Sequence, residues 1–573
     1  MPMFARAGFR ETALIFFAGA GFFLAFPNPF IQLPPAALFM PASILLLSLE
    51  ASSNTRALFR SFLCMFLGSS ASLYWIAIPM HNFAGIPWVV GASCVMLLGA
   101  YYGLYGLLFS LSLRFFTRRL ALYPALLAGA ATWGALELFR GHFLTGFPWL
   151  SLSAAFAGWP VLAQGAALFG MYGLSALYAF IALLAALFFL SPQAAQQNAS
   201  GTDPAIFAGA IAAHSLLSAA EKTRRLLLPA LALLACLAGY GAYRLNVPWE
   251  QQGRIFLAAL AQGNINQEQK WTPENRSYIL RRYLALSRLA LDMVKDKYAR
   301  EADLLLWPET AMPFVYEFNP QPAASIRDFV SANAVPLLFG VIGTDADMRG
   351  TGAAPVHRSS YNRILLLDQH AGRAGHYDKE HLVPFGEYVP PGLHVPFASD
   401  FLQGTGFSPG VNATALMLPP RKPAAYSRDS RDVYAGEAAD GLALGPLICY
   451  EVIFPELAQK RVEQNAAILV SVSNDAWFEL SSAPLQHLQQ AAMRCIEQGR
   501  YMLRGTNTGI SASIDPAGRI VNPGPLFEPW VQAEAVRALE GKTLYHRGYA
   551  WINGALWFMP CVLFLKALRR KTP

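Results

Sequence analysis

The chain has 573 residues, of which 54% are hydrophobic and 14% charged, and its mean hydropathy is +0.33. This composition argues against a string of soluble domains and, with 13% aromatic residues, against disorder over most of the length. Six cysteines are too few for a disulfide scaffold, and the formal net charge of +8 indicates membrane orientation and contact with anionic lipid rather than nucleic-acid binding.

Long apolar runs predict a membrane domain in the first part of the chain. A spanning helix needs about 20 mostly apolar residues. Eight such runs, the first two short, lie near 11–27, 36–50, 61–80, 87–113, 120–139, 161–190, 226–245 and 548–568. No small-residue cleavage site follows the first run, so we interpret it as a span and not as a signal peptide. The segment 191–221 is too interrupted for a span, and we expect a cytoplasmic loop there.

Basic residues are distributed unevenly over the connections between these runs. One set of connections carries fourteen Lys and Arg residues, and the loops of the other set carry Arg140 alone. Because short cytoplasmic loops are enriched in Lys and Arg, we expect both termini in the cytoplasm. The predicted organisation is a transmembrane domain over 1–249, a globular domain on the opposite side of the membrane over 250–545, and a final helix with a basic tail over 546–573.

From residue 255 onward, short β-rich runs alternate with amphipathic stretches, which is the pattern of an α/β layered fold. Apolar residues at helical spacing predict helices over 273–299 and 484–502. The stretch 419–441 is polar and rich in Pro, Gly and Ser, and predicts a surface insertion. Strands are predicted at IFLAALAQ (255–262), ADLLLWP (302–308), VPLLFGVIG (335–343), NRILLLD (362–368), LGPLIC (444–449) and AAILVSVS (466–473).

Three segments place a reactive side chain where a predicted strand ends, and α/β folds commonly form their sites there. They are LLLWPET with Glu309, HYDKEHLVPFGEYVP with Lys379 and Glu387, and GPLICYE with Cys449. A carboxylate can accept a thiol proton, the thiolate can attack a carbonyl, and an ammonium can stabilise the developing oxyanion. Each residue alone is more commonly an ion-pair partner or a packing residue, so only the combination predicts a nucleophilic site.

Taken in chain order, the motifs WPET, YDKEHLVPFGEYVP, ICYE and SVSNDAWF resemble the successive signatures of the carbon–nitrogen hydrolase (nitrilase) superfamily. With seven spans before this region and one after it, the sequence resembles the family of bacterial apolipoprotein N-acyltransferases along nearly its whole length. FPW at 147–149 and QGNINQEQKW at 262–271 are also similar to patterns of that family. The resemblance implies a polytopic α-helical membrane domain joined to an α-β-β-α sandwich, located in the bacterial inner membrane with the catalytic domain on the periplasmic side.

The resemblance also implies roles for individual residues. Glu309 would be the general base, Lys379 the oxyanion stabiliser and Cys449 the nucleophile. Tyr450 would supply a backbone N–H to the oxyanion hole. The other positions that match the family are supporting carboxylates, Glu387 and Glu451, and positions for substrate binding, Trp271, Trp149 and Arg140.

The implied reaction is a ping-pong acyl transfer without metal or organic cofactor. Its substrates are a phospholipid acyl donor, cleaved at the sn-1 ester to give a Cys449 thioester, and an apolipoprotein acceptor with a diacylglyceryl-modified N-terminal cysteine. Two departures from the family concern loop geometry. Glu479 occupies a position where the family usually has glycine, and the 419–441 insertion is longer than expected.

Two other functions fit parts of the pattern. A membrane-anchored amidase or nitrilase acting on small amides would need only one or two spans for anchoring. A transporter would carry ionisable residues within its spans, but Glu137 is the one clear case, and an i,i+3 ion pair with Arg140 explains it. His487 or His381 could in principle pair with Cys449 in a Cys-His dyad, although the Glu and Lys motifs are more specific, and Cys495 is expected in the core.

Overall fold

The computed structural model describes residues 2–190, 221, 223–345, 359–389, 406–411, 414–420 and 441–569. The loop predicted over 191–221 and the insertion predicted over 419–441 lie almost wholly outside these residues. The end of the basic tail, from residue 570 onward, also lies outside them.

Apolar helices occupy the described residues before 250 and the C-terminal end. They are Pro2–Ala25, Phe39–Glu50, Asn54–Ser72, Ala77–Asn82, Trp88–Arg119, Leu122–His142, Pro160–Ala163, Ala166–Phe188, Leu228–Leu245 and Leu544–Arg569. Six helices in the described part are long and apolar enough to cross a membrane, and the helix pair Asn54–Ser72 and Tyr74–Asn82, bent by 52°, adds a seventh if it forms one span. The short run predicted near 36–50 lies in the shorter apolar helix Pro34–Glu50.

Glycines allow two of these helices to approach each other closely. Gly99, Gly103 and Gly106 lie on one face of Trp88–Arg119, at the contact with Asn54–Ser72. A Cβ atom at Gly103 would lie 2.6 Å from the ring of Phe62, closer than two carbon atoms can approach. Small residues at such spacing are typical of contacts between membrane helices, where close van der Waals packing replaces the hydrophobic effect.

The globular half contains thirteen described strands in two sheets. They are β1 Arg254–Gln262, β2 Leu304–Leu306, β3 Met312–Val315, β4 Leu337–Thr344, β5 Ser360–Leu367, β6 Arg373–Asp378, β7 Leu416–Leu418, β8 Leu442–Ile448, β9 Ile468–Ser473, β10 Tyr501–Thr506, β11 Ala512–Ile514, β12 Ile520–Val521 and β13 Trp530–Ala538. The first sheet has the order β13-β1-β2-β4-β5-β6, with β3 beside β4, and the second has the order β12-β11-β10-β9-β8-β7. All six predicted strands are confirmed.

The two sheets pack face to face through apolar side chains of both. Phe256 and Ile364 of the first sheet share one core with Ile448, Val470 and Leu503 of the second. Helices cover the outer faces: Arg276–Tyr298 and Pro320–Asn333 on the first sheet, and Pro455–Glu463 and Ala483–Gln498 on the second. The predicted α-β-β-α sandwich is therefore confirmed.

The helix predicted over 484–502 is too long by about one turn. It covers Ala483–Gln498 and ends because Gly499 takes a left-handed conformation with φ +61°, which glycine adopts without steric cost. Strand β10 then starts at Tyr501.

The helix Ala483–Gln498 also joins the sandwich to the membrane half. Its polar side chains are buried and bond to membrane-half residues. Gln489 exchanges hydrogen bonds with Gln32, and the Glu497 carboxylate accepts the backbone N–H of Met171 at 2.8 Å. One apolar core runs without interruption from the membrane helices to this helix and to the residues after β8. The second sheet is thus fixed directly against the membrane half.

Candidate active site

The strand directions bring the predicted site residues to one edge. Strands β8, β9 and β10 are mutually parallel, and so are β1, β2 and β4. Strand β6 runs in the direction of β4, because β5 is antiparallel to both. Glu309 follows β2, Lys379 follows β6 and Cys449 follows β8, so all three lie beyond the C-terminal ends of their strands.

Glu309 is held by donors from both sheets. Its Oε1 accepts a hydrogen bond from Asn362 Nδ2 at 2.6 Å, and its Oε2 accepts one from the backbone N–H of Asn474 at 2.8 Å. Asn362 is on β5, and Asn474 directly follows β9. The residue is 6% exposed, and its carboxylate cannot turn away without losing two buried hydrogen bonds.

Lys379 lies between two carboxylates. Its Nζ is 2.8 Å from Oε2 of Glu387 and 3.9 Å from Oε1 of Glu309, and the residue is 1% exposed. Burial by itself would lower the pKa of Lys379, but the carboxylates of Glu387 and Glu309 outweigh burial and raise it above its ordinary value. The ammonium is therefore charged at neutral pH and can stabilise negative charge that forms beside it.

Cys449 is the first residue of a 3₁₀ turn that directly follows β8. Its φ of +50° is a left-handed conformation that is unfavourable for a residue with a side chain, and such strain is common at catalytic positions. Burial and the Glu309 carboxylate raise the pKa of the Cys449 thiol, and Lys379 opposes them. The resting thiol is protonated, so a nucleophile here needs a base, and Glu309 is the carboxylate that acts on it most strongly.

The supporting carboxylates differ in what they contact. Glu387 bonds to Lys379 and also accepts Asn362 Nδ2 at 2.8 Å. Glu451 is fully buried, and burial raises its pKa to about 7. Its oxygens accept four hydrogen bonds, from the Tyr377 hydroxyl and from the backbone N–H groups of Glu380, His381 and Ile448. Glu451 thus ties the loop after Lys379 to the end of β8.

Comparisons with known proteins identify the family of both halves of the chain. The carbon–nitrogen hydrolase model matches residues 257–539, and the model of the apolipoprotein N-acyltransferase N-terminal domain matches residues 18–184. A protein of Geobacter metallireducens named apolipoprotein N-acyltransferase is 32% identical over 583 residues, which cover 100% of this chain and 98% of that protein. The chain belongs to the apolipoprotein N-acyltransferase family.

Another protein of this name, from Azotobacter vinelandii, is 33% identical over 568 residues, which cover 96% of this chain and 94% of that protein. Among solved structures, an amidase of the nitrilase superfamily from Nesterenkonia is 18% identical, with a TM-score of 0.34, and covers 52% of this chain. Membership of the apolipoprotein N-acyltransferase family makes the chain an acyltransferase and a bacterial membrane protein.

The three predicted substrate-binding residues of this N-acyltransferase lie in different surroundings. Trp271 is 42% exposed, whereas Trp149 is 2% exposed and donates its Nε1 proton to Gln486 at 2.8 Å. Arg140 is also buried. Its guanidinium lies 4.3 Å from the centre of the Tyr102 ring and donates to the backbone oxygen of Leu150 at 3.1 Å. Of the three, only Trp271 offers a substantially exposed surface to a ligand.

The prediction of an ion pair between Glu137 and Arg140 is wrong. In the described chain these two side chains do not come within ion-pair distance. The Glu137 carboxylate instead accepts Trp133 Nε1 at 2.9 Å and the backbone N–H of Leu152 at 2.7 Å. Glu137, the ionisable residue singled out within a span, therefore holds the loop after Leu122–His142 in place. This structural role gives no support to a conduction path.

Glu479 connects the two halves of the N-acyltransferase. Its φ of +46° is unfavourable for a glutamate, whereas glycine, which the resemblance implies at this position, adopts such a φ without steric cost. The carboxylate accepts a hydrogen bond from Asn82 Nδ2, at 2.7 Å, at the end of the bent helix pair. The departure from the family pattern thus adds one contact between the loop after β9 and the membrane half.

Sequence reasoning missed two residues beside Glu309. Asn362 begins the predicted strand NRILLLD, and a polar residue at the start of an apolar run is a usable signal. Lys270 is fully buried, with Nζ 2.6 Å from the Thr310 hydroxyl and 3.3 Å from the backbone oxygen of Glu309, and burial lowers its pKa to about 8. Both residues fix the Glu309 segment through contacts that are distant in sequence.

His381 makes the stability of the protein sensitive to acid. Its ring lies 3.9 Å from that of Phe454, and burial lowers its pKa from 6.5 to about 4. The folded state thus binds the proton less well than the unfolded state does. The contribution of neutral His381 to the free energy of unfolding is complete above pH 6.5. As the pH falls from 6.5 toward 4, this contribution decreases by at most about 3 kcal/mol.

We expect the midpoint of thermal unfolding in detergent to fall over this pH interval for the wild type and to fall less for His381→Gln. The exposed His370 offers a control, since His370→Gln is expected to follow the wild type. Identical pH profiles for His381→Gln and the wild type would contradict the prediction.

Proposed function

We propose that this N-acyltransferase moves the sn-1 acyl chain of a phospholipid, through a thioester on Cys449, to the α-amino group of a diacylglyceryl-modified cysteine at the N-terminus of an apolipoprotein. The observation that carries the proposal is the meeting of Glu309, Lys379 and Cys449 at one edge, beside the membrane half. Relatives of the chain are named apolipoprotein N-acyltransferase, which supports an acyl transfer to an apolipoprotein.

In the first half-reaction, Glu309 accepts the proton of the Cys449 thiol and the thiolate attacks the ester carbonyl. A bond forms between Sγ and the carbonyl carbon, and negative charge develops on the carbonyl oxygen, where Lys379 and the backbone N–H of Tyr450 can stabilise it. The bond between that carbon and the glycerol oxygen then breaks. The proton held by Glu309 passes to the glycerol oxygen, and a lysophospholipid leaves.

In the second half-reaction, the neutral α-amine of the acceptor attacks the thioester carbonyl. Glu309 takes a proton from the attacking nitrogen, the carbon–sulfur bond breaks, and the thiol is restored when Cys449 receives that proton. A thiolate is a good leaving group for an amine, and exclusion of water keeps hydrolysis from competing. The product is an amide-linked, triacylated lipoprotein.

The contact between the nucleophile turn and the membrane half supports lipid substrates. The Tyr450 hydroxyl donates to the backbone oxygen of Gly146 at 3.0 Å, and its ring stacks on Phe147, 6.4 Å between centroids. Gly146 and Phe147 belong to the loop after the membrane helix Leu122–His142. The residue after Cys449 thus touches a membrane loop directly, which a site for small soluble amides would not require.

The proposed orientation follows from the basic residues. With fourteen Lys and Arg on one set of connections, both termini lie in the cytoplasm and the sandwich lies on the periplasmic side of the inner membrane. This placement gives the site access to the outer leaflet, where both lipid substrates are presented.

The proposal is tested by intact mass spectrometry of the purified chain after incubation with phospholipid and no acceptor. We expect a fatty-acyl adduct that maps to Cys449, with release of one lysophospholipid, and its discharge by a synthetic diacylglyceryl-cysteine peptide. Cys449→Ala is expected to remove the adduct. Cys236→Ala, at an exposed cysteine on a membrane helix, is the matched control and is expected to keep it. Absence of an adduct together with ammonia release from small amides would favour the amidase alternative.

A further inference from the structure

A buried polar cluster lies directly behind the nucleophile turn and has no role in the acyl transfer described above. It consists of His487 on the helix Ala483–Gln498, Asp475 after β9 and Arg504 on β10. All three residues are 1% exposed or less. Burying a charged group this completely costs free energy unless the group is paired and hydrogen-bonded. The partners of these three residues therefore show what each of them does in the fold.

His487 contacts the nucleophile through the backbone carbonyl of Cys449. Nε2 of His487 is 3.0 Å from the backbone oxygen of Cys449, and Nδ1 is 3.1 Å from Oδ1 of Asp475. A carbonyl oxygen can only accept, so Nε2 carries a proton. This holds whether Nδ1 donates to Asp475 or accepts from Nη2 of Arg504, which is 3.1 Å away. His487 is thus a hydrogen-bond donor to Cys449 in either state, and not the base of a Cys-His dyad.

Asp475 and Arg504 keep the ring in this place. Nη2 of Arg504 donates to Oδ2 of Asp475 at 2.9 Å, and the Ser473 hydroxyl donates to Oδ1 at 2.6 Å. Burial would raise the pKa of Asp475, but Arg504 and His487 outweigh it and hold that pKa well below its ordinary value. A permanently charged carboxylate therefore orients the imidazole.

The peptide bond after Cys449 explains why this contact matters. The carbonyl of Cys449 and the N–H of Tyr450 belong to one planar trans peptide group and point in opposite directions. A donor fixed on the carbonyl therefore also fixes the direction of the Tyr450 N–H. Since Cys449 has an unfavourable φ of +50°, this peptide plane needs such a restraint to stay in one orientation.

The membrane half restrains the same imidazole from its other side. The ring of Trp149 stacks on that of His487, with centroids 5.6 Å apart and planes at 24°. Trp149 is itself fixed by hydrogen bonds to Gln486 and Gln490 on the helix that carries His487. Trp75 donates to the same oxygen of Gln486, at 3.1 Å, but does not stack on His487.

We propose that His487 is a positioning residue that aims the Tyr450 N–H at the oxyanion by donating its Nε2 proton to the Cys449 carbonyl, and that Trp149 couples this donor to the membrane half. The inference rests on the proposed function for the nucleophile Cys449 and for the Tyr450 N–H as oxyanion donor, and it does not depend on the identity of the acyl donor. The restraint on the Tyr450 N–H is expected to assist acylation of Cys449 by any ester.

Two small reagents separate orientation of the oxyanion donor from general damage. Acylation of Cys449 by p-nitrophenyl acetate passes through an oxyanion, whereas alkylation by iodoacetamide does not. In His487→Phe the aromatic ring remains but the donor is lost. We expect acylation to slow about 100-fold, with alkylation, mapped to Cys449 by peptide mass spectrometry, within about threefold of the wild type. In His487→Gln a side-chain N–H can reach the Cys449 carbonyl, and we expect most of the acylation rate to return.

Wild-type acylation rates in His487→Phe would overturn the inference. Parallel loss of both reactions, without recovery in His487→Gln, would also overturn it, because it would show a packing role alone. If His487→Phe fails to fold, Trp149→Leu and Trp75→Leu provide the test, and we expect slower acylation only in Trp149→Leu. Equal rates in that pair would overturn the coupling to Trp149. A wild type that reacts with p-nitrophenyl acetate but not with phospholipid would refute the proposed function and leave the His487 comparison intact.

Discussion

Glu309→Gln is expected to reduce the rate of thioester formation by about 10³-fold, within the range that general-base catalysis supplies. Glutamine has the size of glutamate and can still accept from Asn362 or Asn474, so the segment is expected to fold. It cannot remove the proton from Cys449, whose pKa is raised by burial and by Glu309. Single-turnover acylation by phospholipid, followed by intact mass and by release of lysophospholipid, measures the effect.

A pH series strengthens this test. With its base removed, the variant depends on the small fraction of spontaneously ionised thiol, so its rate is expected to rise with pH more steeply than that of the wild type. Glu274→Gln changes an exposed carboxylate at the start of the helical segment before Arg276–Tyr298 and serves as the control. A Glu309→Gln rate within tenfold of the wild type would show that another group deprotonates Cys449.

Lys379→Met is expected to slow acylation by about 10²- to 10³-fold, the cost of removing one preorganised oxyanion stabiliser. It also leaves the Glu309 and Glu387 carboxylates, which both contact Lys379 and both accept from Asn362 Nδ2, without the ammonium that they share. Loss of one partner from a buried ion pair costs about 3–5 kcal/mol, so a large fall in thermal stability is expected as well. Arginine is not expected to restore the rate, since its planar guanidinium does not fit a site shaped for an ammonium.

The double variant Lys379→Met, Glu387→Gln separates these two effects. Removing the second charge is expected to recover most of the lost stability, measured by thermal unfolding in detergent. The acylation rate is expected to stay low, because the double variant still lacks the Lys379 ammonium that stabilises the oxyanion. Recovery of both stability and rate would mean that Lys379 is needed only to neutralise Glu387.

Sequence patterns predicted the elements in which local signals agree with the tertiary fold. The six apolar runs became strands because they are buried on both faces between a helix layer and the other sheet. The first two residues of β10, Tyr501 and Met502, fell within the predicted helix, since they continue its apolar pattern and only Gly499 marks the break. The short strand β12 and the edge strand β7 carry too few residues for a pattern to emerge.

The triad residues were predictable because each belongs to a motif at a strand end. The hydrogen bonds that hold them were not predictable, because bonds between groups far apart in sequence leave no periodic signal. Asn362 bonds to Glu309 across 53 residues, and His487 reaches the Cys449 carbonyl across 38. The expected ion pair between Glu137 and Arg140 failed because helical spacing shows which contacts are possible and not which one forms. Helical spacing permits that contact, but the carboxylate is taken by the backbone N–H of Leu152 and by Trp133.

The helix Ala483–Gln498 has a consequence for any attempt to isolate the sandwich. Its glutamines, Arg494 and Glu497 give it the composition of a solvent-facing surface helix, yet almost all of its residues are buried. In the whole chain, Trp75, Trp149 and Met171 cover apolar side chains around this helix. Residues 250–545 expressed alone would expose those side chains to water. The membrane half therefore stabilises the fold of the sandwich as well as anchoring it. A water-soluble form of residues 250–545 would need polar substitutions on the apolar surface around this helix before Cys449 could be assayed in it.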